Sequence, residues 1–156
     1  MLNKKNTLPT QQKFEDPWIT KTGKKRARVS LKNPKTLWFN TGTLCNISCL
    51  NCYINSSPTN DALVYITGSE VAEYLDQIVA QKWPVCEIGL TGGEPFMNPD
   101  ILEIIKCSLE ANYKVLILTN AMRPMMRKDI KDGLVKLNKT FPNKLGSIIA
   151  LVFLLI

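Results

Sequence analysis

The chain has 156 residues, 45% of them hydrophobic, and carries 20 lysines and arginines against 13 acidic residues, with no histidine, for a net charge of +7. That length and apolar content suit one sizeable buried core rather than two full domains, and the most apolar stretch, the ten residues of 147–156, is far short of the roughly 20 needed to cross a bilayer. The basic excess sits entirely in residues 1–40, where ten lysines and arginines face only Glu15 and Asp16, a net of +8 that leaves −1 for the remaining 116 residues.

Residues 1–35 therefore read as a basic N-terminal arm and 36–156 as the folded domain. Within the arm, the cluster from Lys21 to Arg28 has no interleaved aromatics to stack on bases, so it reads as a solvated basic face and nucleic acid is not expected as a partner. Thr36–Asn40 is short, aromatic and apolar, the composition of a first strand. It delivers the chain to Cys45-Asn-Ile-Ser-Cys49-Leu-Asn-Cys52, a CxxxCxxC run. Thr67-Gly-Ser-Glu70 has the spacing of a capping box, and Val71, Ala72, Leu75, Ile78 and Val79 follow with helical period.

A second strand is expected over Glu87–Thr91, running into Gly92-Gly93-Glu94-Pro95. Paired glycines permit a sharp turn and a close approach that a Cβ would obstruct, and the proline stiffens the exit. Asn98 followed by Pro99 predicts an N-cap and first helical position, with Ile101, Leu102, Ile104, Ile105 and Leu109 as the buried stripe. Val115–Leu118 is wholly apolar, as in a strand covered on both faces, and ends at Thr119-Asn120. A third helix is expected from about Arg127 to Asn138, with Ile130, Leu134, Val135 and Leu137 inward and Gly133 lowering its propensity by about 1 kcal/mol. The run 147–156 then predicts a fourth strand. Cys86 and Cys107 read as small buried hydrophobes.

Strands alternating with helices imply βαβ units on a parallel sheet, and ligands bind such sheets at the C-terminal ends of the strands. The cysteine run, the Gly-Gly-Glu-Pro turn and Thr119-Asn120 each follow a strand, so strand order alone places all three on one rim.

Three closely spaced thiols are an unusual number. Structural zinc takes four protein ligands, and an odd cysteine count without a signal peptide argues against disulfides and for a reducing cytoplasm. A cluster held by only three thiolates leaves one iron free to coordinate a small molecule. A zinc-binding or electron-transfer module, taking a fourth ligand from elsewhere, stays open as an alternative.

CxxxCxxC after the first strand and GGEP after the second resemble the N-terminal part of the core of radical S-adenosylmethionine (radical SAM) enzymes, over roughly residues 36–146. The resemblance implies an α/β fold, a partial parallel (βα) barrel of about three βα units plus a terminal strand. It implies that Cys45, Cys49 and Cys52 hold a 4Fe-4S cluster whose fourth iron binds SAM, and that reductive cleavage yields a 5′-deoxyadenosyl radical acting on an unknown substrate. It also implies that the turn at Gly92 and Gly93 accepts hydrogen bonds from the SAM ammonium, with Glu94 adding acceptor capacity nearby, and that Tyr53 stands near the adenine. Thr119 and Asn120 are candidate SAM or substrate contacts, and no side chain is assigned as catalytic. An electron donor such as a flavodoxin or ferredoxin is the implied partner, with no membrane. The family core has about six βα units, so the chain is expected to be a truncated or frame-shifted product, poorly active alone or a remnant that binds a partner.

Overall fold

The computed structural model describes residues 16–149, with side chains described up to residue 146. The chain divides into two compact units, Met1–Lys32 and Asn33–Ile156.

In the first unit the Lys21–Arg28 cluster is exposed apart from the half-buried Arg26, and its two arginines are also tied to a small loop. The Asp16 carboxylate accepts hydrogen bonds from the amides of Trp18 (2.6 Å) and Ile19 (3.0 Å), and Ile19 pairs antiparallel with Lys25. Arg26 donates to the Asp16 carbonyl at 2.8 Å, and the Arg28 guanidinium stacks on Trp18. Basic side chains thus brace a small loop. Residues 1–15 of the expected arm lie outside the described residues.

The second unit is a four-stranded parallel sheet in the order β1-β2-β3-β4: β1 Thr36–Asn40, β2 Glu87–Thr91, β3 Lys114–Thr119 and β4 Leu145–Ile149. Helix α1 (Gly68–Ala80) connects β1 to β2, α2 (Ile101–Glu110) connects β2 to β3, and α3 (Arg123–Met126) with α4 (Lys128–Thr140) connects β3 to β4. The register runs Phe39↔Leu90↔Ile117 along one face. These residues join Ile88, Val115, Val71, Leu75, Ile78, Ile104, Ile105 and Ile130 in one buried cluster under the helices. The fold is the expected α/β architecture.

Thr67 caps α1 with the reciprocal box predicted, accepting from the Glu70 amide while the Glu70 carboxylate accepts from the Thr67 amide. Several expectations are corrected. Val79 and Val135 continue the helical period but lie 69% and 54% exposed, because a narrower stripe than the sequence suggests covers the sheet. Asn98 lies two residues before the N-cap position of α2, though its Oδ1 accepts from the Asp100 amide at 2.8 Å as a capping residue's would. A 3₁₀ turn at Pro95–Met97 intervenes, Asp100 takes the N-cap position, and Asn98 is buried, donating to the Thr41 carbonyl (3.1 Å) and the Ile66 carbonyl (2.8 Å). Leu116 and Leu118 are only half-buried, since the helices cover the alternate positions of β3. Cys86 is exposed and Cys107 half-buried, so only the latter approaches the expected buried hydrophobe. The short α3 carries too few residues for a periodic signal. Strand β4 begins at Leu145, two residues earlier than expected, and residues 150–156 of the predicted strand lie outside the described residues.

Gly133 has a packing reason. A Cβ there would come within 2.6 Å of Leu102 Cδ1, so the missing side chain lets α4 close on α2.

Candidate functional site

Strand β1 ends at Asn40, and the chain turns back over the end of β2: Thr41 donates to the Thr91 carbonyl from its amide (2.7 Å) and its hydroxyl (2.9 Å). From there it enters the cysteine loop, which is closed at its base by the Cys45 amide on the Ser57 carbonyl at 3.1 Å. Inside the loop the Cys52 amide donates to the Cys49 carbonyl (3.2 Å) and the Asn55 amide to the Cys52 carbonyl (3.1 Å). Asn55 adopts a left-handed φ of 53°, accessible to asparagine, and turns the chain back so that the Ser56 amide donates to Cys52 Sγ at 3.2 Å.

The Gly-Gly-Glu-Pro turn is docked directly on this loop. The Gly93 amide donates to the Gly42 carbonyl (2.8 Å) and the Glu94 amide to the Leu44 carbonyl (3.0 Å). Gly92 has φ +136° and a Cβ there would lie 2.6 Å from the Gly42 oxygen; one on Gly93 would overlap the Leu44 carbonyl. Both glycines are therefore demanded by the backbone of the cysteine loop. Among the described hydrogen bonds, none ends on the carbonyl of Gly92 or Gly93.

Glu94 is 2% exposed and faces inward. Its carboxylate accepts from the Phe96 amide (3.2 Å), the Thr119 hydroxyl (2.8 Å) and the Asn120 amide (2.9 Å). It is the tie between the ends of β2 and β3. Thr119 is likewise buried, while the Asn120 amide group reaches the cysteine loop, donating to Asn46 Oδ1 (3.0 Å) and lying 3.7 Å from Cys45 Sγ. Tyr53 is 73% exposed and its hydroxyl lies 3.5 Å from Thr91 Oγ1. All three segments meet on one rim, by direct hydrogen bonds.

The cysteines differ in environment. Burial pushes the Cys45 thiol above its ordinary value, and the charges of Glu94, Cys49 and Cys52 push the same way against the Ile47 amide. At Cys52 burial also pushes upward, but the surrounding Ile54, Ser56 and Asn55 amides, with the nearby Ser56 hydroxyl, outweigh it and hold the thiol below its ordinary value. Among the described residues no three histidine, cysteine or acidic side chains stand together as a group that could hold one metal ion. Sulfurs bound to separate corners of a cluster stand further apart than ligands of one ion. The donor set, three soft thiols on one closed loop, suits iron–sulfur ligation. Ser56 Oγ, the only buried side-chain oxygen or nitrogen among the described residues without a partner, points to chemistry that the protein alone does not complete.

Asn46, Ser56, Thr91 and Asn98 are site residues that sequence reasoning missed. Asn46 alone had a local signal, its place directly after the first cysteine. Beside the rim, Asn46, Ile47, Met97, Met122, Arg123, Pro124 and Arg127 line an open cleft of about 710 Å³. No helix among the described residues is long and apolar enough to cross a membrane.

The profile of the radical SAM superfamily matches residues 39–143. The chain is 34% identical over 101 residues, 65% of its length, to the antilisterial bacteriocin subtilosin biosynthesis protein AlbA of Bacillus subtilis. It is 29% identical over 76 residues, 49% of its length, to the AdoMet-dependent heme synthase of Methanosarcina barkeri. It spans only 20% and 21% of those two relatives. Its fold resembles Streptococcus suis SuiB, solved with S-adenosylmethionine, with a TM-score of 0.58 at 21% identity over 73% of this chain and 24% of SuiB. SuiB has also been solved with its precursor peptide SuiA, with the same TM-score. Superfamily members bind a 4Fe-4S cluster and SAM. With the profile covering β2, β3, the cysteine loop and the turn docked on it, the chain belongs to the radical SAM superfamily.

Proposed function

We propose that this chain forms the cluster- and SAM-binding part of a radical SAM enzyme acting on a peptide, with Cys45, Cys49 and Cys52 as ligands of a 4Fe-4S cluster. The observation that carries the reading is the docking of the double-glycine turn onto the cysteine loop through the Gly93–Gly42 and Glu94–Leu44 hydrogen bonds. It holds the two motifs against each other, which supports their sharing one ligand. When bound, the cluster and SAM supply one-electron cleavage of the sulfonium and so the means of abstracting hydrogen from substrate.

The residues have distinct tasks in this reading. Burial of Cys45 excludes water from one corner of the cluster. The carbonyls of Gly92 and Gly93 offer acceptors to the SAM ammonium. Glu94 holds those carbonyls in place through Thr119 and Asn120 and is a positioning residue. Asn120 orients the cysteine loop through Asn46, and Tyr53, exposed beside Thr91, is available to the adenine. A flavodoxin or ferredoxin completes the system as electron donor. A peptide substrate is supported by AlbA, a bacteriocin biosynthesis protein, and by the SuiB complex with a precursor peptide.

Anaerobic reconstitution tests the cofactor reading. Near-stoichiometric iron and sulfide, and a spectral change on adding SAM, are expected; bound zinc with no response to SAM would defeat it. Mass spectrometry of a peptide incubated with SAM and dithionite tests the substrate. An unchanged peptide beside active SAM cleavage removes the peptide and leaves the cofactors standing.

A further inference from the structure

The cysteine loop contains a buried hydroxyl with nothing to bond among the described residues. Ser56 is 5% exposed and its Oγ has no hydrogen-bond partner among the described residues, a condition that is unfavourable in a finished structure. Its position is imposed by the loop. The bridge between Leu44 and Ser57 fixes one end, the left-handed Asn55 turns the chain, and the Ser56 amide is held 3.2 Å from Cys52 Sγ. The buried hydroxyl of the same residue is one of the polar groups around that sulfur.

A neutral thiol is a weak acceptor and gives the hydroxyl little. A thiolate bound to iron is a far better one, because its negative charge strengthens each donated hydrogen bond. The hydroxyl that is unsatisfied in the free protein thus finds its acceptor when Cys52 carries a cluster. Hydrogen bonds to ligand sulfur set the reduction potential of such clusters. Reduction adds negative charge to the sulfurs, so a donor there stabilises the reduced state and raises the potential.

We infer that Ser56 is a positioning residue that donates a hydrogen bond from its hydroxyl to Cys52 Sγ in the cluster-loaded protein and raises the potential of the cluster. This inference rests on the proposed ligation by Cys45, Cys49 and Cys52. It concerns a residue outside the ligand motif.

The test is a redox titration, followed by electron paramagnetic resonance, of the full chain reconstituted anaerobically with iron and sulfide. Ser56→Ala and Ser56→Val should bind iron and titrate at a more negative potential than the parent, and Ser56→Thr, which keeps the hydroxyl, should titrate close to it. Retention of the cluster by Thr but not by Ala or Val would also support the hydroxyl. Midpoints of Ala and Val equal to the parent would overturn the inference, as would Thr shifting with Val, or all three variants losing iron together, which would mark a position of packing only. A parent protein that takes up no cluster defeats the functional reading and this inference with it. A loaded parent with unmoved variants defeats this inference alone.

Discussion

Replacing Gly93 with alanine should separate the two halves of the rim while leaving local backbone preference satisfied. Gly93 is not among the glycines with positive φ, so alanine is conformationally acceptable there, and at an uncrowded position Gly→Ala would stabilise the chain by about 0.4–1 kcal/mol. Space decides otherwise. The added Cβ would overlap the Leu44 carbonyl oxygen and stand 2.6 Å from its carbon and 2.8 Å from the Thr43 oxygen, all backbone atoms that no side-chain rotation can move. The turn must lift off, breaking the Gly93–Gly42 and Glu94–Leu44 hydrogen bonds. Two such bonds contribute about 1 kcal/mol each, and overpacking adds about 1–3 kcal/mol, a loss of about 3–5 kcal/mol. With a urea m-value of about 1–3 kcal/mol per molar for a small protein, the unfolding midpoint of the reduced, cluster-free chain should fall by at least about 1 M. Gly146→Ala is the control, because its Cβ would meet nothing nearer than 3.7 Å. If Gly93→Ala unfolds at the same urea concentration as Gly146→Ala, the docking of the turn on the loop is wrong.

Glu94→Ala should cost about 2–4 kcal/mol, read from urea unfolding, because it strands the buried Thr119 hydroxyl and the Asn120 amide; a surface-like effect under 0.5 kcal/mol would refute the inward tie. Asn98→Ala should cost a similar amount by leaving the Thr41 and Ile66 carbonyls without their donor. On α1, Ile78→Ala should lose about 2–4 kcal/mol while Val79→Ala, at an exposed position, should change stability by under about 1 kcal/mol; equal effects would contradict the narrow stripe. The Thr67 amide and hydroxyl hold the Glu70 carboxyl below its ordinary value, so the stabilisation is present above the ordinary glutamate range and lost as pH falls through the lowered value. The thermal midpoint of Glu70→Gln should accordingly vary less than the parent's between neutral and acidic pH.

The amino-acid order alone specified the strands β1 and β2 to the residue, the helix that opens with a capping box at Thr67, and the arrival of the cysteine run, the double-glycine turn and Thr119-Asn120 at one rim. These are local matters: β-branched and apolar runs, period, cap chemistry, and the rule that alternating strands and helices put successive loops on the same edge. Where local pattern overreached, it did so at stripe margins such as Val79 and Val135, because periodicity marks the apolar side of a helix without saying how wide a neighbour covers it. The tertiary structure alone decided which way the polar residues face. Glu94 turns into the protein to meet Thr119 and Asn120, 25 and 26 residues away. Asn98 keeps a bond to the Asp100 amide through Oδ1 and also bridges the Thr41 and Ile66 carbonyls through Nδ2, and the Ser56 hydroxyl is buried without a partner among the described residues. A buried donor or acceptor is governed by whichever group the fold brings within about 3 Å, and no period or spacing in the chain encodes that encounter.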